Sequence, residues 1–373
     1  MHKRILFYYT KLGIGGAEKS LVRMMNALSR DGNEVTLLTR FGNGESEAFL
    51  DSGIHKISLS HSRIVDIGKS GIIEKCRILI QRLCNTWKLK HSKIKYDLVI
   101  TGLHGLSPEF VLNYVKTDKY IQCIRNDLKE IKARARVVHT LQQYVNKTNA
   151  YLCVSKTAQT SLNELLPETA NKSFVLYNFL DVMQMHDKCD TADCPFDGED
   201  FRIVSVCRIE DSSKGVFRML NIAERLTKAG YHFKWFLVGD GPDAARLRTE
   251  IVDRKAEDFF IMVGRKDNPF PFYKFADLVA VPSYHEGLCG VVNEAKIAGA
   301  AVLATEFSGI HEQLTHGKNG WVVENNEESI YNGIKTLMDD RTLLKKITNQ
   351  DYPIDILDDT RKLSKFYQQL GWK

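Results

Sequence analysis

Short apolar runs alternate with amphipathic stretches along most of the chain. Residues 5–9 (ILFYY) are apolar and rich in β-formers, Gly13-Ile14-Gly15-Gly16 interrupts them, and 20–30 then sets Leu21, Met24, Met25 and Leu28 at helical spacing. Gly32 ends that helix, and 35–39 (VTLLT) reads as the next strand. Further strands are predicted at 97–101, 120–124, 150–154 and 174–177. The pattern resumes after 200, with strands at 203–206, 235–238, 259–263, 278–281, 302–304 and 321–323 and helices at 216–229 and 244–253. The strands are continuously apolar, so both faces must be covered, which predicts parallel βαβ units with helices on each side. Between the two series, 181–200 is acidic, contains Pro195 and Gly198 and shows no clear period, so it reads as a linker. Residues 354–369 return to helical spacing.

A length of 373 residues fits two domains at about 150 residues each. The expected division is 1–180, a linker at 181–200, a second domain at 201–350, and a closing helix in 351–373. Two such halves should face each other across a cleft, with ligands beyond the C-terminal ends of the strands. A net charge of +6 from 52 Lys plus Arg against 46 Asp plus Glu is too weak to argue for nucleic acid, and no such partner is expected, though it leaves room for a local basic patch. No apolar run approaches the roughly 18 residues needed to span a bilayer, and the apolar start stops at Lys11, short of a signal peptide. The eight cysteines include no CxxC pair, which suits reduced thiols in a cytoplasmic protein.

Several motifs could carry chemistry. Gly13 to Ser20 (GIGGAEKS) departs from a phosphate-binding P-loop only at Glu18, where a carboxylate would repel phosphates; a glycine-rich βα turn that lets a ligand approach, or an ordinary tight turn, remains. Arg208 and Lys214 follow the first strand of the second half and can neutralise a diphosphate there. Glu286 and Glu294 are eight apart, the first on a loop and the second one turn into a helix starting near Gly290. Gly287 and Leu288 offer backbone N–H groups at its entrance. His311 and His316 are five apart, about 140° around a helix, and do not form a zinc pair; no Asp-x-Asp occurs either, so no metal is expected. His104 follows a strand on the ligand side and reads equally as structural or as part of an active site. Residues 75–95 carry seven basic residues and no acid, and Ile72, Cys76, Ile80, Leu83 and Trp87 form an apolar stripe. That stripe either docks on the core with a solvated basic face or, across 72–95, meets an anionic membrane surface.

In order and spacing these motifs resemble the retaining glycosyltransferases of family 4, which have the GT-B fold, most specifically over 203–323. The residues that carry the likeness are Arg208 with Lys214-Gly215, the Val238-Gly239-Asp240-Gly241-Pro242 turn, Glu286 to Glu294 and Gly309-Ile310-His311-Glu312, with Gly15-Gly16-Ala17-Glu18 in the first half. The resemblance implies an α/β GT-B chain of two Rossmann-like domains. Arg208 and Lys214 would neutralise the donor diphosphate, Glu294 would hold the ribose hydroxyls, and Glu286 with the Gly287 and Leu288 amides would position the sugar. Gly15 and Gly16 would approach the phosphates, and the base would lie against Val263, Gly264 and Arg265. The closing helix would cross back to the first domain. Where many members carry a histidine, this chain has Arg125-Asn126, so His104, Arg125 and Asn126 are the acceptor-side candidates. The expected activity moves a sugar from a nucleotide-sugar donor, UDP-linked, to a lipid-linked glycan in bacterial surface polysaccharide synthesis, on the inner face of the membrane and without a cofactor. The alternatives are a nucleotide-sugar epimerase or hydrolase of the same fold, or a non-catalytic scaffold.

Overall fold

The computed structural model describes residues 2–61, 72–131, 133–191, 193–348 and 351–372. The chain forms two compact units, Met1–Leu180 with Asp358–Lys373, and Asp181–Leu357. In chain order the first unit contains β1 (Arg4–Tyr9), α1 (Gly16–Arg30), β2 (Glu34–Phe41), β3 (His55–Ser60), α2 (Ile72–His91), β4 (Lys95–Tyr96), β5 (Leu98–Thr101), α3 (Glu109–Tyr114), β6 (Lys116–Thr117), β7 (Tyr120–Ile124), α4 (Arg134–Gln143), β8 (Ala150–Cys153), α5 (Lys156–Leu165) and β9 (Ser173–Val175). The second contains α6 (Val182–Asp190), β10 (Phe201–Val206), α7 (Asp211–Lys214), α8 (Val216–Lys228), β11 (Phe233–Val238), α9 (Ala244–Asp253), β12 (Phe260–Gly264), α10 (Phe270–Lys274), β13 (Leu278–Val281), α11 (Gly290–Ile297), β14 (Val302–Thr305), α12 (Ile310–Gln313), β15 (Trp321–Val323), α13 (Glu327–Asp339), α14 (Arg341–Ile347) and α15 (Ile354–Leu357). The chain then re-enters the first unit as α16 (Asp359–Gln369).

The first sheet has the order β3-β2-β1-β5-β7-β8-β9 and is parallel throughout. Its strands bury both faces. Ile5, Phe7 and Tyr9 pack with α1 and α16, while Leu6 and Tyr8 pack on the other side with Val111 and Tyr120. The second sheet, β12-β11-β10-β13-β14-β15, is also parallel and is built around fully buried Ile203, Trp235 and Leu237. In each sheet the order reverses beside the first strand, between β1 and β5 and between β10 and β13. Loops diverge there, and a ligand crevice opens at such a reversal.

Two segments depart from the sequence reading. The stretch 181–200 is not uniformly irregular. Asp181 caps α6 by accepting the Gln184 N–H at 3.4 Å, and Met185 and Cys189 are buried. The helical signal there rests on those two positions, diluted by acidic neighbours. β3 also went unforeseen, because only Leu59 and Ser60 of its six residues are buried, so it shows little apolar pattern. α16 is fixed to the first unit by Phe366 in the core, by the Lys362 ammonium on the Asn178 carbonyl (2.8 Å) and by the Asn33 amide donating to the Tyr367 hydroxyl (2.8 Å).

Candidate functional site

In the second unit, the loops after β10 and β13 meet at the point of strand reversal. α7 ends in left-handed Gly215, which turns the chain into α8. Lys214, on the last position of α7, reaches the loop after β13, where its ammonium is 2.5 Å from Glu286 Oε1. The Ser283 hydroxyl donates to the same carboxylate oxygen at 2.9 Å. The two charged side chains are 21% and 15% exposed, so the pair is largely removed from water. Burial alone would lower the Lys214 ammonium, but the charge and hydrogen bond of the Glu286 carboxylate act the other way and its pKa is raised, so it stays cationic.

The Glu286 loop is braced from several directions. Tyr284 N–H donates to the Ser213 carbonyl at 2.8 Å, and the Thr305 hydroxyl donates to the Ser283 carbonyl at 2.7 Å. Arg218, 2% exposed, donates from Nε to the Pro282 carbonyl at 2.9 Å, from a second nitrogen to the same oxygen, and from a third to Asn325 Oδ1 at 2.8 Å. Its guanidinium also lies 3.9 Å from the Tyr284 ring centroid. Gly287 and Leu288 are buried, and among the described residues their N–H groups have no hydrogen-bond partner. Buried amides are almost always paired, so two adjacent open ones beside a cation form a place for an anionic oxygen.

Arg208 is exposed at the end of β10 and its guanidinium has no side-chain partner among the described residues. Its backbone is held by the turn after β11. Gly239, at φ +150, lies so close that an added Cβ would fall 1.8 Å from the Cys207 carbonyl oxygen; at Gly241 it would fall 2.4 Å from that of Ile209. The glycines of the 238–242 motif are therefore needed for this approach of two backbones. Gly239 N–H in turn donates to the Gly264 carbonyl at 3.0 Å, which brings Val263, Gly264 and Arg265 beside the same strand ends. Arg265 is exposed and pairs loosely with Asp267 at 3.4 Å. Glu294 stands in α11, half-buried, and accepts the hydroxyl of fully buried Tyr273 at 3.2 Å.

In the first unit, Glu18 closes the P-loop reading. Its carboxylate folds back over Gly15, where an added Cβ would lie 2.3 Å from Oε2, and it accepts the Tyr9 hydroxyl at 3.1 Å. Gly16 remains open to approach, with nothing within 4 Å of an added Cβ. Arg125 is buried and spent on its own unit. It donates to Asn178 Oδ1 (2.9 Å), Ser20 Oγ (3.2 Å) and the Gly102 carbonyl (3.2 Å), whereas Asn126 is exposed. Arg125 thus knits α1, the loop after β5 and the end of the first unit, and Asn126 is left as the accessible member of that pair.

His104 accepts the Arg125 backbone N–H on Nδ1 at 3.2 Å, so its proton sits on Nε2. Burial, with the Arg125 charge beside it, lowers the imidazole to about 4. An unfolded histidine titrates near 6.5, so between those values the unfolded chain binds a proton that the folded one refuses, and stability falls as pH drops through that window. The loss should reach about 3 kcal/mol for the first unit, and a His104→Gln chain should lose most of that slope. Urea denaturation at pH 7 and pH 4.5 on both proteins measures it.

Sequence reasoning missed Arg218, Asn325 and Gln313. The first had a signal: a charge on the apolar face of α8, among buried Val216, Met219, Leu220 and Ile222.

Residues 190–352 match the family model described as Glycosyl transferases group 1. The chain is 24% identical over 357 residues, 94% of each sequence, to the N-acetylgalactosamine-N,N'-diacetylbacillosaminyl-diphospho-undecaprenol 4-alpha-N-acetylgalactosaminyltransferase of Campylobacter jejuni. It is 33% identical over 141 residues, 34% of this chain and 37% of the other, to the lipopolysaccharide 1,2-N-acetylglucosaminetransferase of Salmonella typhimurium. Its fold matches that of Anabaena Alr3699/HepE, solved with UDP and glucose, with a TM-score of 0.75 at 18% identity over 99% of this chain and 100% of that one. Residues 190–352 thus match the group 1 glycosyl transferase model, in a chain with the two-unit GT-B fold.

Proposed function

We propose that this chain is a retaining, metal-independent glycosyltransferase that moves an N-acetylhexosamine or hexose from a UDP-sugar to a lipid-linked glycan during bacterial surface polysaccharide synthesis. The observation that carries the reading is the Lys214–Glu286 pair beside the open Gly287 and Leu288 amides, with Arg208 uncovered at the same strand ends. As the bond between the sugar C1 and the diphosphate oxygen breaks, its electron pair passes to the leaving diphosphate. Arg208 and Lys214 neutralise that growing charge, which fixed donors in a site shielded from water do most effectively. The acceptor hydroxyl bonds to C1 on the same face and its proton passes to the leaving phosphate. Glu286 orients the sugar, Glu294 holds the ribose hydroxyls, and His104 offers a neutral Nε2–H on the acceptor side. The names of the Campylobacter and Salmonella relatives support the acceptor and sugar classes.

Nucleotide binding tests this reading directly. At about 100 times its dissociation constant, UDP should stabilise the chain by roughly 2.7 kcal/mol, a shift of several degrees in Tm. GDP, ADP and CMP should not, and Arg208→Ala should lose the shift. A chain whose Tm no nucleotide moves would sink the donor site and favour a scaffold.

The lipid-linked acceptor requires a membrane surface, and α2 suits one. The apolar stripe read from the sequence does not dock on the core. Ile80 (61%), Leu83 (69%) and Trp87 (63%) are exposed, as are Ile73 and Cys76; the side chain of Ile72 lies outside the described residues. The docked side is instead Ile78 and Leu89, with Asn85 donating to the Ser58 carbonyl at 3.0 Å. Arg77, Lys88 and Lys90 flank the exposed stripe. No helix among the described residues is long and apolar enough to cross a membrane, so this face would lie in the headgroup layer. Leu83→Asp with Trp87→Ser should cut sedimentation with anionic phosphatidylglycerol vesicles about tenfold or more, since each inserted side chain contributes roughly 1.5–3 kcal/mol. Retained sedimentation would place the membrane contact elsewhere.

A further inference from the structure

Beneath the Glu286 loop lies a buried polar trio that the donor chemistry does not use. Gln313, the last residue of α12, is 1% exposed, and its side-chain amide grips both backbone polar groups of Cys289. Cys289 N–H donates to Oε1 at 3.0 Å, and Nε2 donates to the Cys289 carbonyl at 2.9 Å. Nε2 also donates to Asn293 Oδ1 at 2.5 Å, and the Tyr352 hydroxyl donates to the same oxygen. Tyr352 lies in the stretch that carries the chain back toward the first unit, and its neighbour Asp351 is held by the Asn319 amide on its carbonyl (2.8 Å) and by Lys318 (2.5 Å).

We propose that Gln313 and Tyr352 are positioning residues for the nucleotide-sugar, setting the amides that precede and open α11. Cys289 is the N-cap of that helix and follows Leu288 directly. Each peptide is planar, so holding the Cys289 N–H fixes the Leu288–Cys289 plane, and holding its carbonyl fixes the plane that carries the Gly290 N–H. One side-chain amide therefore orients the backbone on both sides of the residue joining the open amides to α11, which an apolar side chain cannot do. The trio also leaves Asn293 Nδ2 buried without a partner among the described residues. An apolar filling would avoid that loss, so packing alone does not account for the polar set. Tyr352 closes the arrangement by fixing Asn293 Oδ1 as the acceptor that faces Gln313 Nε2.

The inference rests on the donor-site reading above, and the experiment separates the two. UDP affinity by calorimetry, donor KM and kcat, and the urea midpoint are measured on the full chain as wild type, Gln313→Leu and Tyr352→Phe. UDP affinity should weaken about tenfold in Gln313→Leu and about threefold in Tyr352→Phe, with donor KM rising in step and acceptor KM unchanged. Should Gln313→Leu not fold, the volume-conserving Tyr352→Phe decides alone. A lowered urea midpoint with wild-type UDP affinity and KM would make the trio purely structural and overturn the inference. A wild-type chain that binds no UDP would instead overturn the UDP-donor reading on which the inference stands.

Discussion

Lys214→Ala should lower kcat/KM by about 10²–10³ while leaving the two units folded. Two effects act in the same direction. The variant loses a cation whose pKa is raised by its partner, and it leaves the Glu286 carboxylate, 15% exposed, without its counter-charge. On the proposed donor-site reading, that carboxylate would then repel the incoming diphosphate. Breaking a buried pair on one side costs roughly 3–5 kcal/mol, and the partial exposure of both groups puts this pair at or below the low end. The double variant Lys214→Ala with Glu286→Ala separates the terms. It removes the stranded charge, so the urea midpoint should recover toward wild type, while the rate should not recover at all. Steady-state kinetics and denaturation on the three proteins measure both. A double variant that regained activity would mean that the pair holds the loop and has no part in the chemistry.

What could be read from the chain follows from which interactions are local. Apart from β3, the strands of both sheets were legible because buried parallel strands are continuously apolar, and the start of α11 at Gly290 was legible from the glycine and the turn signals before it. β3 and α6 were not, since each buries only two residues among polar neighbours. The periodicity of α2 gave a stripe but not its direction, because Ile78 and Leu89 supply a second apolar side and only the fold chooses which one docks. The Lys214–Glu286 contact joins residues 72 apart and exists because β10 and β13 are neighbours, which spacing in the sequence cannot report. Arg125 shows the converse. Its place after β7 marked it for a ligand, yet three hydrogen bonds turn it inward, and no local pattern distinguishes those outcomes.

Arg218→Met should cost about 3–4 kcal/mol in the second unit and lower kcat/KM by about tenfold or more at a temperature where the variant remains folded. Burial lowers the pKa of this guanidinium, and among the described residues no carboxylate pairs with it. Its charge is instead spread over the Pro282 carbonyl, Asn325 Oδ1 and the face of the Tyr284 ring. Methionine fills similar space but leaves the buried Pro282 carbonyl without its two donors, while the amide of exposed Asn325 can turn to water. Pro282 begins the loop that carries Ser283 and Glu286, so its release should move the carboxylate away from Lys214. Arg218→Lys is the sharper control, because it keeps the charge but cannot supply a planar fork to one oxygen and a third donor to another. If bidentate support of Pro282 is what matters, lysine should recover less than half of the lost stability and little of the rate. Full recovery would show that a buried positive charge is enough, and the loop would then owe its position to Asn325 and Thr305.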